Sequence, residues 1–330
     1  MEPSPMRIPS SAPERLCLGD QLRSAPARYL KLSCGRRLCW TEFGDASGIP
    51  VLYFHSRGSS RLEAAFFSAE AQSRGFRLIA VDRPGIGGSD FSYARTPDAF
   101  CADLYQLIEH LKLDTLATLS LGAGAVYSLA LAAQVGDRMT AQVCLGSIPV
   151  GPLWGAEAGG RLTRRRVLLA KAMRYAARLR ARLETGLCSS PPGLVDLCSS
   201  DRRALADSKI AELLSADGEE ARKQGVAGIA QDDSIAMMPF DCDLASIRCA
   251  VTFWQGASDP TCLGRTPALL SQRLRYGRER ALPRQGQFFF LSVMAEIFQQ
   301  INTASIPPRK GMQVPSVHAA PGDRGLAPAA

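Results

Sequence analysis

Short apolar runs that end in turn formers alternate, along most of this chain, with stretches of helical period. Few folds accommodate that order. Pro50 to His55 is apolar at almost every position before it meets a polar loop, the pattern of a parallel strand covered on both faces. Arg77 to Val81 repeats it and runs into Asp82-Arg-Pro-Gly-Ile-Gly-Gly-Ser89, a succession of turn formers. Thr96 to Leu111 then sets Phe100, Leu104, Leu107, Ile108 and Leu111 on one helical face. Leu116 to Leu119 and Ala141 to Ile148 read as strands on either side of a helix from Ala123 to Ala133. Upstream, residues 29–44 read as a hairpin turning at Cys34-Gly-Arg-Arg37, and Arg61 to Ser73 as helical. Strands that alternate with helices predict an α/β fold, with a mostly parallel central sheet and helices on both faces.

The alternation stops at Pro149 and resumes near Cys249. Cys249 to Trp254 is a strand, Leu263 to Arg275 a helix, Arg280 to Pro283 a short strand and Leu291 to Ile301 a helix. Residues 150–240 hold helical patterns without a convincing strand, so they read as a helical cap inserted into one core, whose two parts are 29–149 and 241–302. Residues 1–28 are rich in Pro, Ser and Arg, and residues 303–330 in Pro and Gly, without periodicity. Both are expected to be a disordered leader and tail. A length of 330 residues with 46% hydrophobic content suffices for such a core.

No apolar run reaches the roughly 18 residues that a spanning helix needs, and the N-terminus lacks the apolar segment of a secretory signal. A cytoplasmic protein is expected. Ten cysteines show no Cys-x-x-Cys pair and no His/Cys cluster, which argues against a metal site and for free thiols in a reducing compartment. The net charge of +8 is concentrated in one acid-free segment that includes Arg164, Arg165, Arg166, Lys171, Arg174, Arg178 and Arg182.

Several segments, in order, resemble the α/β-hydrolase superfamily, and within it a subgroup with a His-Gly-x-Pro-Gly-Ser-Arg-Leu-Glu loop. Here that loop is His55-Ser-Arg-Gly-Ser-Ser-Arg-Leu-Glu63. The Asp82–Ser89 run, the segment Gln224-Gly-Val-Ala-Gly-Ile-Ala-Gln-Asp232 and Trp254-Gln-Gly-Ala-Ser-Asp259 are similar to the subgroup's second loop, its cap-to-core connection and the strand end that bears its catalytic acid. The resemblance covers residues 29–302 and implies the α/β-hydrolase fold. It also implies a nucleophile at a tight strand-to-helix turn within Thr118-Leu-Ser-Leu-Gly-Ala-Gly124.

Two registers are open for that turn. One makes Ser120 the nucleophile, with β-branched Thr118 in the crowded position two residues before it. The other puts Gly122 at the apex between small Ser120 and Gly124 and aligns Tyr127 with the subgroup's tyrosine. A glycine accepts the positive φ that such a turn requires, so the second register fits better sterically, and it leaves no nucleophilic side chain.

The resemblance places Asp259 at the acid position and Gln287 at the histidine position, and an amide cannot serve as a general base. Only three histidines are present. His110 precedes the turn strand, His318 lies in the tail, and His55 belongs to the oxyanion loop. In that loop Ser56, Arg57 and Gly58 depart from the Gly-x-Pro pattern. Its N–H groups near Arg57, with that of Ala123, are the candidate donors to a carbonyl or anion, and the Arg57 guanidinium is a candidate partner for a ligand carboxylate or a solvated rim residue. Asp259 reads either as the acid of a degenerate triad or as a cap of the helix near Leu263, and Cys262 as an inert thiol.

Residues 163–184 read as one cap helix with an apolar stripe beside a basic one. Its charged side faces either solvent or an anionic membrane surface. No motif supports nucleic-acid binding, and no cofactor or metal is implied. The expected partner is a small apolar molecule. Three functions remain in view: a non-hydrolytic binder or rearranger of a carbonyl compound in small-molecule biosynthesis, a serine ester hydrolase using Ser120 with a borrowed base, and a receptor or partner subunit of the kind known among family members that lack the histidine.

Overall fold

A computed structural model describes residues 18–23, 25–93, 96–146, 197–236, 242–259 and 266–304. The strands are β1 (Arg28–Lys31), β2 (Arg37–Gly44), β3 (Ile49–Phe54), β4 (Phe76–Val81), β5 (Leu116–Leu121), β6 (Met139–Leu145), β7 (Ala250–Gly256) and β8 (Gly277–Leu282). They form one sheet in the order β1-β2-β4-β3-β5-β6-β7-β8. The β1–β2 and β2–β4 pairs are antiparallel and every other pair is parallel. The helices are α1 (Leu18–Arg23), α2 (Ser68–Ser73), α3 (Pro97–His110), α4 (Gly124–Val135), α5 (Ser199–Leu205), α6 (Ser208–Ala221), α7 (Ala227–Ala236), α8 (Thr266–Arg273) and α9 (Met294–Ala304).

The period of two along the strands sorts the core into two layers. Leu52, Phe54, Ile79 and Val81 pack with Phe100, Leu104 and Leu107 of α3 and Tyr127 and Leu131 of α4. Val51, Tyr53, Leu78 and Ala80 pack on the other face with Phe67, Phe76, Phe290 and Phe298. The start of α3 is set by Thr96, whose side chain accepts the Ala99 N–H, followed by Pro97 in the first turn. Arg61–Phe67, expected as helix, is a 3-10 turn that leads into α2.

Strand β5 runs two residues beyond the expected Leu119 and so carries Ser120 inside the sheet, paired with Phe54 and Cys144. The expectation of an unstructured segment over 1–28 is corrected by α1. Its Leu22 is buried against Leu213 and Ala216 of α6, an apolar contact that the local composition does not announce. Of the expected cap, residues 197–236 are helical, and residues 150–196, with the basic segment 163–184, lie outside the described residues. No helix among the described residues is long and apolar enough to cross a membrane.

Seven cysteines among the described residues are in no disulfide. Burial pushes the Cys39 and Cys249 thiols up to about 12 and Cys144 up to about 11, so they stay protonated and pack as small apolar groups.

Candidate functional site at the carboxyl edge

The parallel strands deliver their loops to one edge of the sheet, where α/β folds place ligands. Each loop is tied to the neighbouring strand end. Gly122 N–H donates to Leu145 O at 2.8 Å, Gly146 N–H to Trp254 O at 2.8 Å, Ala257 N–H to Leu282 O at 2.9 Å and Ser258 N–H to Gln285 O at 2.8 Å.

The turn between β5 and α4 has Gly122 at φ +52°, in the left-handed region where glycine is favoured. Gly124 lies so close to the end of β3 that a Cβ there would press on Phe54 O and stand 2.8 Å from His55 O. Ser120 is fully buried two residues before Gly122. Its Oγ donates to Val143 O at 3.4 Å and accepts from Ser128 Oγ at 3.5 Å. Ala123 opens α4 as its N-cap, without a side-chain hydrogen bond. In this first turn the Ala125 N–H donates to Gly122 O at 3.1 Å and the Val126 N–H to Ala123 O at 3.2 Å, so the N–H groups of Ala123 and Gly124 are the candidate donors to an oxygen atom.

In the loop after β3, His55 is fully buried, with Nδ1 at 3.0 Å from Ser56 O and Nε2 accepting the Arg83 N–H at 3.4 Å. Both ring nitrogens thus shape the loop, the part expected of a histidine in the oxyanion loop. Ser56 belongs to the same network. Its N–H donates to Glu63 Oε2 at 2.7 Å and its hydroxyl to Glu63 Oε1, because a buried carboxylate must collect donors. Arg57 is exposed at the rim and also pairs with Asp233 of α7 at 2.6 Å.

That ion pair belongs to a wider set of links between core and cap. Arg83, fully buried, donates to Asp232 from Nε at 2.9 Å and from Nη2 at 2.6 Å, and to the carbonyls of His55 and Ser56 at 2.5 and 2.9 Å. Tyr127 of α4 donates to the same Asp232 at 2.7 Å. Arg61 pairs with Asp82 at 2.7 Å and Glu220 of α6 at 2.6 Å. Asp217 of α6 accepts from Ser60 N at 2.9 Å, from Ser60 Oγ at 2.6 Å and from Ser59 Oγ. The core supplies the cations and hydroxyls, and the cap supplies the acids.

Asp217 and Glu63 are both buried and close enough to repel each other. Desolvation, then the Glu63 charge, pushes the Asp217 carboxyl up to about 7, and burial raises Glu63 as well. The folded state therefore holds a proton that the unfolded chain releases near its ordinary carboxylate pKa of about 4. Stability from this contact is fully present below that pH, falls as pH rises toward 7, and is gone above it. Asp217→Asn is expected to flatten the fall in melting temperature between pH 5 and 8, as read by circular dichroism. An unchanged slope would count against the shared proton.

On the far side, Asp259 is buried just past β7, and Gln287 stands in the loop after β8. Asp201 of α5, fully buried, accepts the Gln287 N–H at 3.0 Å and the Phe288 N–H at 3.1 Å. His110 is at the end of α3, edge-on to Trp40 at 6.0 Å. Cys262, His318 and Leu263, where a helix capped by Asp259 was expected to begin, lie outside the described residues, and α8 starts at Thr266. Among the described residues no cluster of His, Cys, Asp and Glu is arranged to hold a metal ion.

Glu63, Arg83, Tyr127 and Asp232 lie within the segments that resemble the family, and Asp201 and Asp217 lie outside them. The available signal was charge in unusual places: Asp82-Arg83 straight after an apolar strand, and Asp217 between the small residues Ala216 and Gly218.

A family model described as the alpha/beta hydrolase fold matches residues 49–261, more than half of the chain. A proline iminopeptidase from Neisseria meningitidis is 29% identical over 142 residues, 40% of this chain and 44% of that protein. The chain thus spans less than half the length of the curated relatives it matches. Among solved structures, an esterase from Thermogutta terrifontis aligns with a TM-score of 0.59 at 20% identity, over 86% of this chain and 100% of that one. An epoxide hydrolase from Vigna radiata aligns with a TM-score of 0.57 at 17% identity, over 86% and 98%. At these identities the two likenesses show the fold alone.

Proposed function

The chain belongs to the α/β-hydrolase family, and from that membership we propose that it works on this scaffold without hydrolysis, binding and rearranging a small apolar molecule that contains a carbonyl group. The observation that carries the reading is Gly122 at φ +52° in the β5–α4 turn. In this family's architecture that turn presents the nucleophile, and a glycine presents no side chain. Two further observations support it. Ser120 is sealed in the sheet, its hydroxyl directed at Val143 O and Ser128. Gln287, in the loop after β8, offers an amide that cannot accept a proton in the pH range of catalysis.

What the edge retains is suited to polarising a carbonyl. The start of α4 offers the Ala123 N–H and the positive end of a helix dipole, which favour developing negative charge on an oxygen. Enolisation, ring closure or isomerisation uses such stabilisation and needs no covalent acyl intermediate.

Esterase action through Ser120 is the competing reading, since relatives are named as peptidases and esterases. The two separate in one experiment. The full chain is expected to take no label from a fluorophosphonate probe and to turn over short p-nitrophenyl esters no faster than Ser120→Ala. Labelling or turnover that is abolished by Ser120→Ala would overturn the non-hydrolytic reading.

A further inference from the structure

The loop after β8 holds a polar group that the fold leaves unmatched. Gln287 Nε2 is out of solvent and has no hydrogen-bond partner among the described residues. A buried amide N–H without an acceptor carries its full desolvation penalty, which a mobile loop relieves by a small rotation. This loop is fastened instead. Asp201 holds the Gln287 and Phe288 N–H groups on its two oxygens at 3.0 and 3.1 Å. Ser200 Oγ holds the Gly286 N–H at 3.1 Å, and Gln285 O accepts the Ser258 N–H at 2.8 Å. The Asp201 carboxylate sits so close to Gly286 that no Cβ would fit there. Downstream, Phe289 and Phe290 are buried among the aromatic side chains of the core. The backbone is thus held from the cap, from β7 and from the core, while the amide nitrogen is left waiting for an acceptor.

We propose that the Gln287 amide is the ligand-orienting donor of this site, and that it hydrogen-bonds an uncharged carbonyl oxygen, as in a lactone or ketone. The inference rests on the non-hydrolytic reading above and names the ligand group that this reading leaves open. A carboxylate is disfavoured because the buried Asp201 carboxylate from the cap holds the same segment. A second anion there is repelled at low dielectric. Asp201 is a positioning residue, since it touches the loop backbone and sets where the amide stands.

The test uses the full chain with two probes, δ-decalactone and its opened form, 5-hydroxydecanoate, in isothermal titration. Wild type is expected to bind the lactone at least about tenfold more tightly than the hydroxy acid, and Gln287→Leu to lose roughly tenfold in lactone affinity, the size of one hydrogen bond. Without ligand, Gln287→Leu is expected to melt at or above the wild-type temperature, because an unmatched polar group is gone. A purely structural glutamine predicts the opposite, a lower melting temperature. Gln287→Met provides the same comparison if the leucine variant folds poorly. Equal lactone affinity in wild type and variant, no lactone binding by wild type, preference for the hydroxy acid, or a destabilised apo variant would each overturn the proposal. Ser120-dependent ester turnover would sink the non-hydrolytic reading alone, because the melting comparison reads Gln287 whether or not the site hydrolyses esters.

Discussion

Asp232→Ala is expected to destabilise the protein by about 3–5 kcal/mol in urea denaturation. The carboxylate is buried and takes two hydrogen bonds from the equally buried Arg83 guanidinium and one from Tyr127. Removing it strands a cation in the interior, which is far more costly than the net worth of the pair itself. The same guanidinium holds the carbonyls of His55 and Ser56, so the loop after β3 should loosen along with α7. Arg83→Met combined with Asp232→Leu is expected to recover much of the loss, because both charges then leave together. A loss below about 1 kcal/mol for the single variant would mean that water reaches the pair and that it does not anchor the cap.

Gly124→Ala is expected to lower stability by about 1–3 kcal/mol, the usual range for forcing one carbon into a filled interior. The added Cβ would meet backbone, Phe54 O and His55 O at the end of β3, and no side-chain rotation relieves it. Gly122→Ala makes an instructive comparison. There a left-handed φ imposes a conformational penalty of about 1 kcal/mol on any side chain. Denaturant midpoints for the two variants should therefore rank Gly124→Ala as the more damaging. The reverse order would show that β3 shifts freely and that spacing at this turn is not what selects glycine.

The alternation of apolar runs and helical periods was enough to read the sheet, because burial on both faces of a strand and on one face of a helix leaves a local signature. Pro50–His55, Arg77–Val81 and Thr96–Leu111 all lie within a residue or two of β3, β4 and α3. Element ends were less legible. Nothing in Leu116-Ala-Thr-Leu-Ser-Leu121 distinguishes a strand of four residues from one of six, and the extra pair is decided by the partners Phe54 and Cys144. Helix α1 is not legible in the sequence for a related reason: its burial depends on Leu213 and Ala216, nearly two hundred residues away.

By itself, then, the sequence determined the fold class, the order of the elements and which residue types stand in each loop after a strand. Those follow from period and turn chemistry, which act between near neighbours. The sequence favoured Gly122 over Ser120 at the turn, and the structure has Gly122 in the left-handed region and Ser120 enclosed by the sheet; tertiary structure alone decided that Arg57 and Arg83 are occupied by Asp233 and Asp232, and that Asp201 grips the loop of Gln287. These are pairings between residues 86 to 176 positions apart for the ion pairs and the loop clamp. A charged side chain in a sequence states only that it needs a partner if buried, and the packing of the cap on the carboxyl edge chooses which one it gets.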